Sequence, residues 1–283
     1  MNAPPSLTIG NRQFDWGTRT FVMGVVNVTP DSFSGDGLGT DIDAAVEQGL
    51  RFEAEGADII DVGGESTRPG AEEVDAAKEM RRVLPVIEKL AERAKIPISI
   101  DTAKAEVAAA ALEAGATLVN DVWGFRHDPR IVDVVAQSGV PAVVMHNQRG
   151  RPFHDVIEDI RAGLETSVAM AEAAGIPRQR LVVDPGFGFG WKEQYNLEML
   201  RRLGELKSIG LPILVGTSRK STIGAVLDLP VEERLLGTAA SMAIAIANGA
   251  DIVRVHDVKE MLQVCRIADA IVRGWQRPED NVV

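Results

Sequence analysis

The feature that most constrains the fold of this chain is a regular alternation of short apolar runs with longer amphipathic segments. Runs rich in valine, isoleucine and leucine recur eight times, at residues 21–26, 59–62, 98–100, 118–119, 142–145, 181–183, 213–215 and 252–255. Strands that are apolar at consecutive positions are typical of a parallel sheet covered on both faces. The alternation therefore predicts a series of strand–helix units.

The segments between these runs have the start and stop signals of helices. Asp41 and Asp75 each precede a segment with apolar residues at helical spacing, and aspartate is a favoured N-cap residue. Glycine readily adopts the left-handed conformation that ends a helix, and it stands before the next apolar run at six positions. These positions are Gly56, Gly115, Gly139, Gly175, Gly210 and Gly249.

Eight strand–helix units in 283 residues predict an α/β fold, a (β/α)8 TIM barrel. The alternative is an open, doubly wound sheet. No linker rich in proline or serine divides the chain, so we expect one domain over residues 1–283. Within it, residues 1–20 are expected to form an N-terminal β-hairpin around the turn Gly10-Asn11 that covers the bottom of the barrel. Residues 275–283 are expected to form a frayed tail.

The composition argues against several classes of partner. The 41 acidic and 30 basic residues give a formal net charge of −11, and a chain without clustered cations is not expected to bind nucleic acid. No stretch has the length of about 18 apolar residues that a membrane span requires. The single cysteine, Cys265, cannot form an internal disulfide, and the first residues lack the pattern of a secretory signal. We therefore expect a cytoplasmic protein that binds neither nucleic acid nor membranes.

Polar residues stand at the end of every predicted strand. In a (β/α)8 barrel the carboxyl ends of the strands meet at one mouth, where the active site lies. Polar residues are common at solvated strand ends, but a complete set that converges on one mouth favours a binding site. The set comprises Asn27, Asp61, Asp101, Asn120 with Asp121, His146, Asp184, the run Ser218–Ser221, and Arg254 with His256.

Two motifs near the C-terminus favour the binding of an anion. Residues 216–222 supply hydroxyls, cations and backbone N–H groups at a predicted helix start. Arg254 and His256 are two residues apart on a strand, so their side chains leave the same face and are suited to a phosphate or diphosphate. The alternative is that Arg254 forms an ordinary ion pair with Asp251 or Asp257.

Asp101, Asn120 and Asp184 supply two carboxylates and an amide from three strands. Such a set suits the donor edge of a flat aminopyrimidine, because a carboxylate accepts two parallel N–H bonds and an amide both donates and accepts. General acid–base catalysis by the two aspartates is the alternative. A Gly-x-Gly-x-Gly segment follows Asp184, and we expect it to form a tight turn that presents Phe187 or Phe189 to a ring.

Together these motifs resemble those of the dihydropteroate synthase family, and the resemblance extends over nearly the whole chain. The family fold is the (β/α)8 barrel that the strand pattern predicts independently. The matching segments stand in the family order and are Asn27-Val28-Thr29-Pro30-Asp31-Ser32-Phe33, Asp61-Val62-Gly63-Gly64-Glu65-Ser66-Thr67-Arg68-Pro69-Gly70, Ser99-Ile100-Asp101-Thr102, Asn120-Asp121, Asp184-Pro185-Gly186 with Gly188-Phe189-Gly190, Ser218-Arg219-Lys220-Ser221 and Arg254-Val255-His256-Asp257.

The resemblance implies transfer of the pterin methylene group of 6-hydroxymethyl-7,8-dihydropterin diphosphate to the amine of p-aminobenzoate, in folate biosynthesis. It implies Mg²⁺ as cofactor, with Asn27 as its ligand, and a homodimer. The implied pterin residues are Asp101, Asn120, Met145, Asp184, Phe189, Lys220 and Arg254, of which Asp101, Lys220 and Arg254 are catalytic. The implied diphosphate residues are Asn27, Thr67, Arg68, Arg254 and His256. The implied p-aminobenzoate residues are Phe33, Thr67, Pro69, Phe189 and Ser221.

The chain departs from the family pattern at two places beside the pocket. Asn147 follows His146 where family members commonly have a second methionine, and Trp191-Lys192 stands where Lys-Thr is usual. These departures bear on the shape of the pocket and not on the reaction.

Carboxylates on one side of the mouth and cations on the other predict a dissociative substitution, in which diphosphate leaves before the amine attacks. Two other functions remain open, a methyltetrahydrofolate-binding methyl-transfer module and a non-catalytic pterin sensor. The presence of both anion motifs favours the synthase.

Overall fold

Strand and helix alternate along the chain as the sequence predicts. The computed structural model describes residues 4–29, 41–66 and 74–275. The strands within these residues are β1 (Leu7–Ile9), β2 (Arg12–Phe14), β3 (Phe21–Asn27), β4 (Ile59–Gly63), β5 (Ile98–Asp101), β6 (Leu118–Asp121), β7 (Ala142–Met145), β8 (Leu181–Asp184), β9 (Leu214–Val215) and β10 (Ile252–Val255). The α-helices are α1 (Ile42–Glu55), α2 (Ala76–Arg93), α3 (Ala105–Glu113), α4 (Arg130–Ser138), α5 (Val156–Ala173), α6 (Glu193–Arg202), α7 (Ser221–Leu227), α8 (Leu235–Ala247) and α9 (Val258–Arg273).

Strands β3 to β10 form a parallel barrel. Their order in the sheet is β8-β7-β6-β5-β4-β3-β10-β9, so each strand lies beside its neighbour in sequence. A parallel bridge between Val183 and Ile213 joins the two outer strands, β8 and β9. The predicted barrel is therefore confirmed, and the open sheet is wrong because that arrangement would leave β8 and β9 unjoined.

The predicted helix boundaries are confirmed at the residues that signalled them. Asp41 accepts a hydrogen bond from the backbone N–H of Ala44 at 2.9 Å, and Asp75 accepts one from that of Lys78 at 2.7 Å. All six glycines that were expected to end helices have a positive φ. No helix within the described ranges is long and apolar enough to cross a membrane.

The bottom of the barrel is sealed by apolar side chains. Strands β1 and β2 form the predicted antiparallel hairpin. Leu7, Ile9, Phe14 and Trp16 of this N-terminal segment belong to one buried cluster with side chains of the barrel interior. Those interior side chains are Phe21, Met23, Ile59, Leu118, Val143, Val182, Leu214 and Ile252. A larger cluster packs the outer face of the barrel against the helices. Of the predicted tail, only Trp275 lies within the described residues.

Candidate active site

Along the strands of the barrel, the interior side chains are apolar near the bottom and mostly polar near the mouth. Successive side chains of a strand point to opposite faces, so residues two apart share a face. Ile59, Leu118, Val143, Val182 and Ile252 all lie in the apolar interior cluster. Two positions further along the same strands stand Asp61, Asn120, Met145, Asp184 and Arg254. The interior of the barrel therefore changes from apolar to mostly polar within one strand period. Four of the predicted pterin residues lie in this polar layer, namely Asn120, Met145, Asp184 and Arg254.

Arg254 is held by two carboxylates from other strands. Its Nε lies 2.6 Å from Oδ2 of Asp61, and its Nη2 lies 2.5 Å from Oδ2 of Asp101. The alternative ion pairs considered from the sequence are wrong. Asp257 pairs with Arg219, and Asp251 accepts a hydrogen bond from the backbone N–H of Ile213.

Asp61 is the residue of this cluster to which the sequence assigned no role in ligand binding. The sequence places it at a strand end, whereas β4 continues to Gly63 and Asp61 lies in the middle of the strand. Its side chain is fully buried, and Oδ2 also accepts a hydrogen bond from Nδ2 of Asn120 at 3.1 Å. The available signal was a carboxylate inside an otherwise apolar run, which needs a partner because a buried charge is costly unless it is paired.

The buried charges shift one another's protonation. Burial raises the pKa of Asp101 to about 7, with Asp61 contributing in the same direction and Arg254 opposing it. Burial also raises the pKa of Asp184, and Lys220 opposes that change. Burial disfavours the charge of Arg254, but Asp61 and Asp101 outweigh burial and raise its pKa. Arg254 therefore remains a cation, while Asp101 changes its charge near neutral pH.

Lys220 lies against the turn that follows β8. Its Nζ donates a hydrogen bond to the carbonyl of Phe187 at 2.5 Å and lies 4.7 Å from the ring centroid of Phe189. Burial lowers the pKa of Lys220 to about 8, and Asp184 opposes that change. Gly188 has a φ of 83°, and a Cβ there would lie 3.0 Å from Cδ of Lys220, so glycine allows this close approach.

The turn places Phe189, and not Phe187, beside the mouth. Phe189 belongs to a small apolar cluster with Met145 and Val122, and the guanidinium of Arg149 lies 5.0 Å from its ring centroid. Phe187 is buried in the large core cluster. The sequence could not decide between the two rings because both alternate with glycines whose conformation only the fold defines.

Two of the predicted diphosphate residues, Asn27 and His256, lie together at the ends of β3 and β10, beside Ser218 after β9. Nδ1 of His256 lies 3.0 Å from Oγ of Ser218, which also accepts a hydrogen bond from the backbone N–H of His256 at 3.2 Å. Nε2 of His256 lies 3.5 Å from Nδ2 of Asn27. Asn27 and His256 are therefore neighbours, although 229 positions separate them in the sequence.

The remaining predicted contacts are divided between described and undescribed residues. Ser221 is exposed as the first residue of α7. Phe33, Thr67, Arg68 and Pro69 lie outside the described residues, so the p-aminobenzoate set stays a prediction.

Two polar residues at strand ends have structural roles. The carboxylate of Asp121 accepts hydrogen bonds from the backbone N–H groups of Trp123 and Phe125. His146 is buried, and its Nε2 lies 2.8 Å from Oε1 of Gln148. Burial lowers the pKa of His146 to about 4, so the ring is neutral at physiological pH. The hydrogen bonds of Asp121 and His146 therefore favour a role in local structure over a role in ligand binding.

The two departures from the family pattern support the loops around the pocket. Asn147 is fully buried, donates to the carbonyl of Val122 at 3.2 Å and accepts from the backbone N–H of Arg149 at 3.2 Å. Trp191 packs beside His146 and Phe153. Asn147 thus joins the loops after β6 and β7, while Trp191 covers the neutral His146.

Comparisons with known proteins agree with this arrangement. The sequence profile of the family described as "Pterin binding enzyme" matches residues 23–256. Dihydropteroate synthase of Clostridium beijerinckii is 48% identical over 268 residues, which cover 94% of this chain and 100% of that protein.

Two solved structures are similar over nearly the whole fold. The dihydropteroate synthase of Clostridium difficile, solved in the presence of pteroic acid, is 50% identical with a TM-score of 0.89 and covers 92% of this chain and 99% of that one. The enzyme of Xanthomonas albilineans, solved with 4-aminobenzoic acid, is 43% identical with a TM-score of 0.90 and covers 95% and 98%. On the closed barrel, the polar layer at its mouth and these similarities, the chain belongs to the dihydropteroate synthase family of pterin-binding enzymes.

Proposed function

We propose that this protein is a transferase that condenses 6-hydroxymethyl-7,8-dihydropterin diphosphate with p-aminobenzoate to give 7,8-dihydropteroate and diphosphate. The observation that carries the proposal is the polar layer at the mouth, where Asp101, Asn120 and Asp184 lie close to the cations of Lys220 and Arg254. Two similar structures support it, because one was solved in the presence of pteroic acid and the other with 4-aminobenzoic acid.

The pterin would bind in the polar layer. The carboxylate of Asp184 and the amide of Asn120 are suited to the amino edge of the ring, since together they offer acceptors and a donor. Oδ1 of Asp184 already accepts a hydrogen bond from the backbone N–H of Gly186 at 2.7 Å, which fixes the carboxylate. Met145 and Phe189 supply apolar surface for the faces of the ring. Arg254 would lie over the ring, and Asp101 beside the reacting carbon.

The diphosphate would bind beside Asn27, Arg254 and His256. Among the described residues, no group of three or more His, Cys, Asp or Glu side chains could hold a metal ion. Mg²⁺ does not need such a cage, because it keeps several waters and commonly bridges phosphates to one or two protein oxygens. The amide oxygen of Asn27 fits that role, since the described contact of the amide uses Nδ2. When bound, the ion would neutralise charge on the leaving diphosphate.

p-Aminobenzoate would approach from the outer side of the pterin. Phe189 offers an aromatic face at the rim, and Ser221 is exposed at the start of α7. Phe33, Thr67 and Pro69 complete the set that the family resemblance implies, and the same resemblance assigns Thr67 and Arg68 to diphosphate binding.

The direct test is release of diphosphate from the two substrates in the presence of Mg²⁺. Lys220→Ala and Arg254→Ala are each expected to lower kcat/KM by about 100-fold or more, because each removes a cation aligned with charge that develops in the transition state. The exposed cations Lys89 and Arg130 provide matched controls, and Lys89→Ala and Arg130→Ala should retain wild-type rates.

The same assay decides between the proposed reaction and its alternatives. Pterin binding without diphosphate release would favour the sensor, and methyl transfer from methyltetrahydrofolate without diphosphate release would favour the methyl-transfer module. Wild-type rates in both the Lys220 and the Arg254 variants would contradict the assignment of the site.

The pKa shifts of Asp101 and Lys220 predict a narrow pH optimum. Asp101, with a pKa near 7, becomes the required carboxylate only above that pH, and Lys220, with a pKa near 8, loses its charge above that pH. We expect kcat/KM to rise through about pH 7 and fall through about pH 8, since this parameter reports groups of the free enzyme. Asp101→Asn should remove the acidic limb and Lys220→Arg the alkaline limb. A flat profile from about pH 6 to 9 would contradict this assignment of the two groups.

We propose that the substitution is dissociative. The C–O bond of the pterin methylene breaks first, its electron pair leaves with the diphosphate, and the amine then forms the C–N bond and loses a proton. Asp101 would stabilise the cation that develops on the methylene carbon, while Arg254 and His256 receive the anion.

Positional isotope exchange tests this order of events. With ¹⁸O in the bridging position and an unreactive analogue of p-aminobenzoate present, the label is expected to move into non-bridging positions of recovered substrate. Recovered substrate with the label unmoved would contradict early C–O cleavage.

We also propose a homodimer, formed through helices α8 and α9. These helices pack against each other, and they expose Leu236, Ile244, Ile267 and Ile271 at 80%, 51%, 66% and 79% of their surface. Large exposed apolar side chains on adjacent helices are typical of an interface, and a second copy would bury both faces at once. A cytoplasmic location is proposed as well, supported by the single cysteine, Cys265, which leaves the chain without an internal disulfide.

Light scattering after gel filtration tests the dimer. Leu236→Glu and Ile271→Glu are each expected to shift the mass from dimer to monomer, because each buries a charge in the apolar interface. Leu197→Glu, at an exposed position on α6, should leave the mass unchanged. A monomeric wild-type protein at micromolar concentration would contradict the proposal.

A further inference from the structure

Asp61 lies at the centre of the polar layer and is not among the residues that the proposed reaction uses. It is paired in register with Val25 of β3 and Ser99 of β5, and its side chain points into the barrel. Its Oδ2 is within 2.6 Å of Nε of Arg254 and 3.1 Å of Nδ2 of Asn120. A single oxygen therefore joins two proposed pterin residues that come from different sides of the barrel.

The exposed fractions of the Arg254, Asp101 and Asp61 side chains indicate which of them a ligand can contact. Arg254 is 21% exposed and Asp101 is 12% exposed, whereas Asp61 is 0% exposed. A ligand in the mouth can reach Arg254 and Asp101 directly. Asp61 lies beneath them, so any effect it has on the ligand must pass through the residues that it holds.

The geometry of the guanidinium depends on both carboxylates. Asp61 takes Nε and Asp101 takes Nη2, and these two contacts leave Nη1 for other partners. A planar guanidinium held at two of its nitrogens has little freedom to rotate, and a fixed orientation is what stacking on a flat ring requires. If Asp61 were absent, Asp101 would be the one carboxylate among the described residues that accepts a hydrogen bond from Arg254, and Asp101 is itself proposed to face the reacting carbon.

We propose that Asp61 is a positioning residue that fixes Arg254, and through the same oxygen Asn120, in the orientation that receives the pterin. The inference rests on the proposed function, because it assigns Arg254 and Asn120 to the pterin. It adds a buried residue that makes no contact with substrate and determines how well the contacting residues are aligned.

Two substitutions of Asp61 test its hydrogen-bond acceptor and its negative charge separately. Asp61→Asn keeps an oxygen in place and removes the charge, and Asp61→Val keeps the branched shape and removes both. We expect kcat/KM for the pterin diphosphate to fall about 10-fold in the first variant and about 100-fold in the second, since misplacement of about 1 Å can cost about 100-fold. The KM for p-aminobenzoate should remain within about threefold of the wild type in both variants.

Asp58 provides a matched control on the same segment. It is buried just before β4, at the bottom of the barrel, and its carboxylate pairs with Arg19 at 2.5 and 2.9 Å. Asp58→Asn removes the charge of a buried aspartate that likewise pairs with an arginine, here a half-exposed one, far from the mouth. We expect it to lower the midpoint of thermal unfolding without changing either substrate's kinetic parameters per folded molecule.

A double-mutant cycle with Arg254→Gln tests the proposed route. Because Asp61 acts through Arg254 and also holds Asn120, Asp61→Asn should cause a clearly smaller loss in the Arg254→Gln background than in the wild type, since residues that act as a unit are not additive. Additive losses would overturn the inference. So would unchanged pterin parameters in Asp61→Val, or equal losses for both substrates in both Asp61 variants.

Binding of a free pterin, measured by calorimetry, keeps this test separate from that of the reaction. Weaker pterin binding in Asp61→Val than in Asp58→Asn supports the inference whether or not the wild-type protein releases diphosphate. Equal pterin affinity in the wild-type, Asp61→Val and Asp58→Asn proteins overturns it. Failure of the wild type to release diphosphate, with pterin binding intact, would instead contradict the proposed function alone.

Discussion

The interaction on which the site depends is the pairing of the largely buried Arg254 with Asp61 and Asp101. A buried guanidinium is tolerated only when it is paired and hydrogen-bonded, and here two strands of the barrel supply the counter-charges. The arrangement of Asp61 and Asp101 around Arg254 also has an electrostatic consequence. Two carboxylates around one cation leave an excess of negative charge, which together with burial raises the pKa of Asp101 toward neutrality. Arg254 opposes this rise, but burial is the larger effect, so Asp101 can change its charge near neutral pH.

The apolar lower half of the barrel makes this arrangement possible. The hairpin of β1 and β2 closes the bottom with a buried apolar cluster, which shields that side of the polar layer from water. Charges in a site closed to water on one side interact more strongly than they would in solution. Lys220 illustrates the effect, because burial lowers its pKa to about 8 even though Asp184 lies nearby. The fold therefore tunes the charges of the site by controlling where solvent enters.

Much of this fold could be predicted from short-range patterns. The apolar runs, the aspartate caps and the glycines at helix ends predict the barrel, because each signal depends only on neighbouring residues. The motifs at the strand ends also predict a polar layer at the mouth of the barrel. They could not predict the partner of Arg254. Asp251 and Asp257 are close to it in sequence, whereas Asp61 is 193 positions away and Asp101 is 153 positions away. Only the pairing of β3 with β10 in the barrel brings β4 and β5 within reach of Arg254.

The sequence by itself determined which residue types stand at the strand ends and in what order, because the strand period and the helix signals are local properties of the chain. The tertiary structure decided which of those residues meet. It placed Asp61 beneath Arg254 and Asn120, used Asp121 and His146 for local structure, and chose Phe189 over Phe187 for the mouth. The physical reason is that the pairing of buried charges and the packing of rings depend on distances across the barrel, which no local pattern encodes.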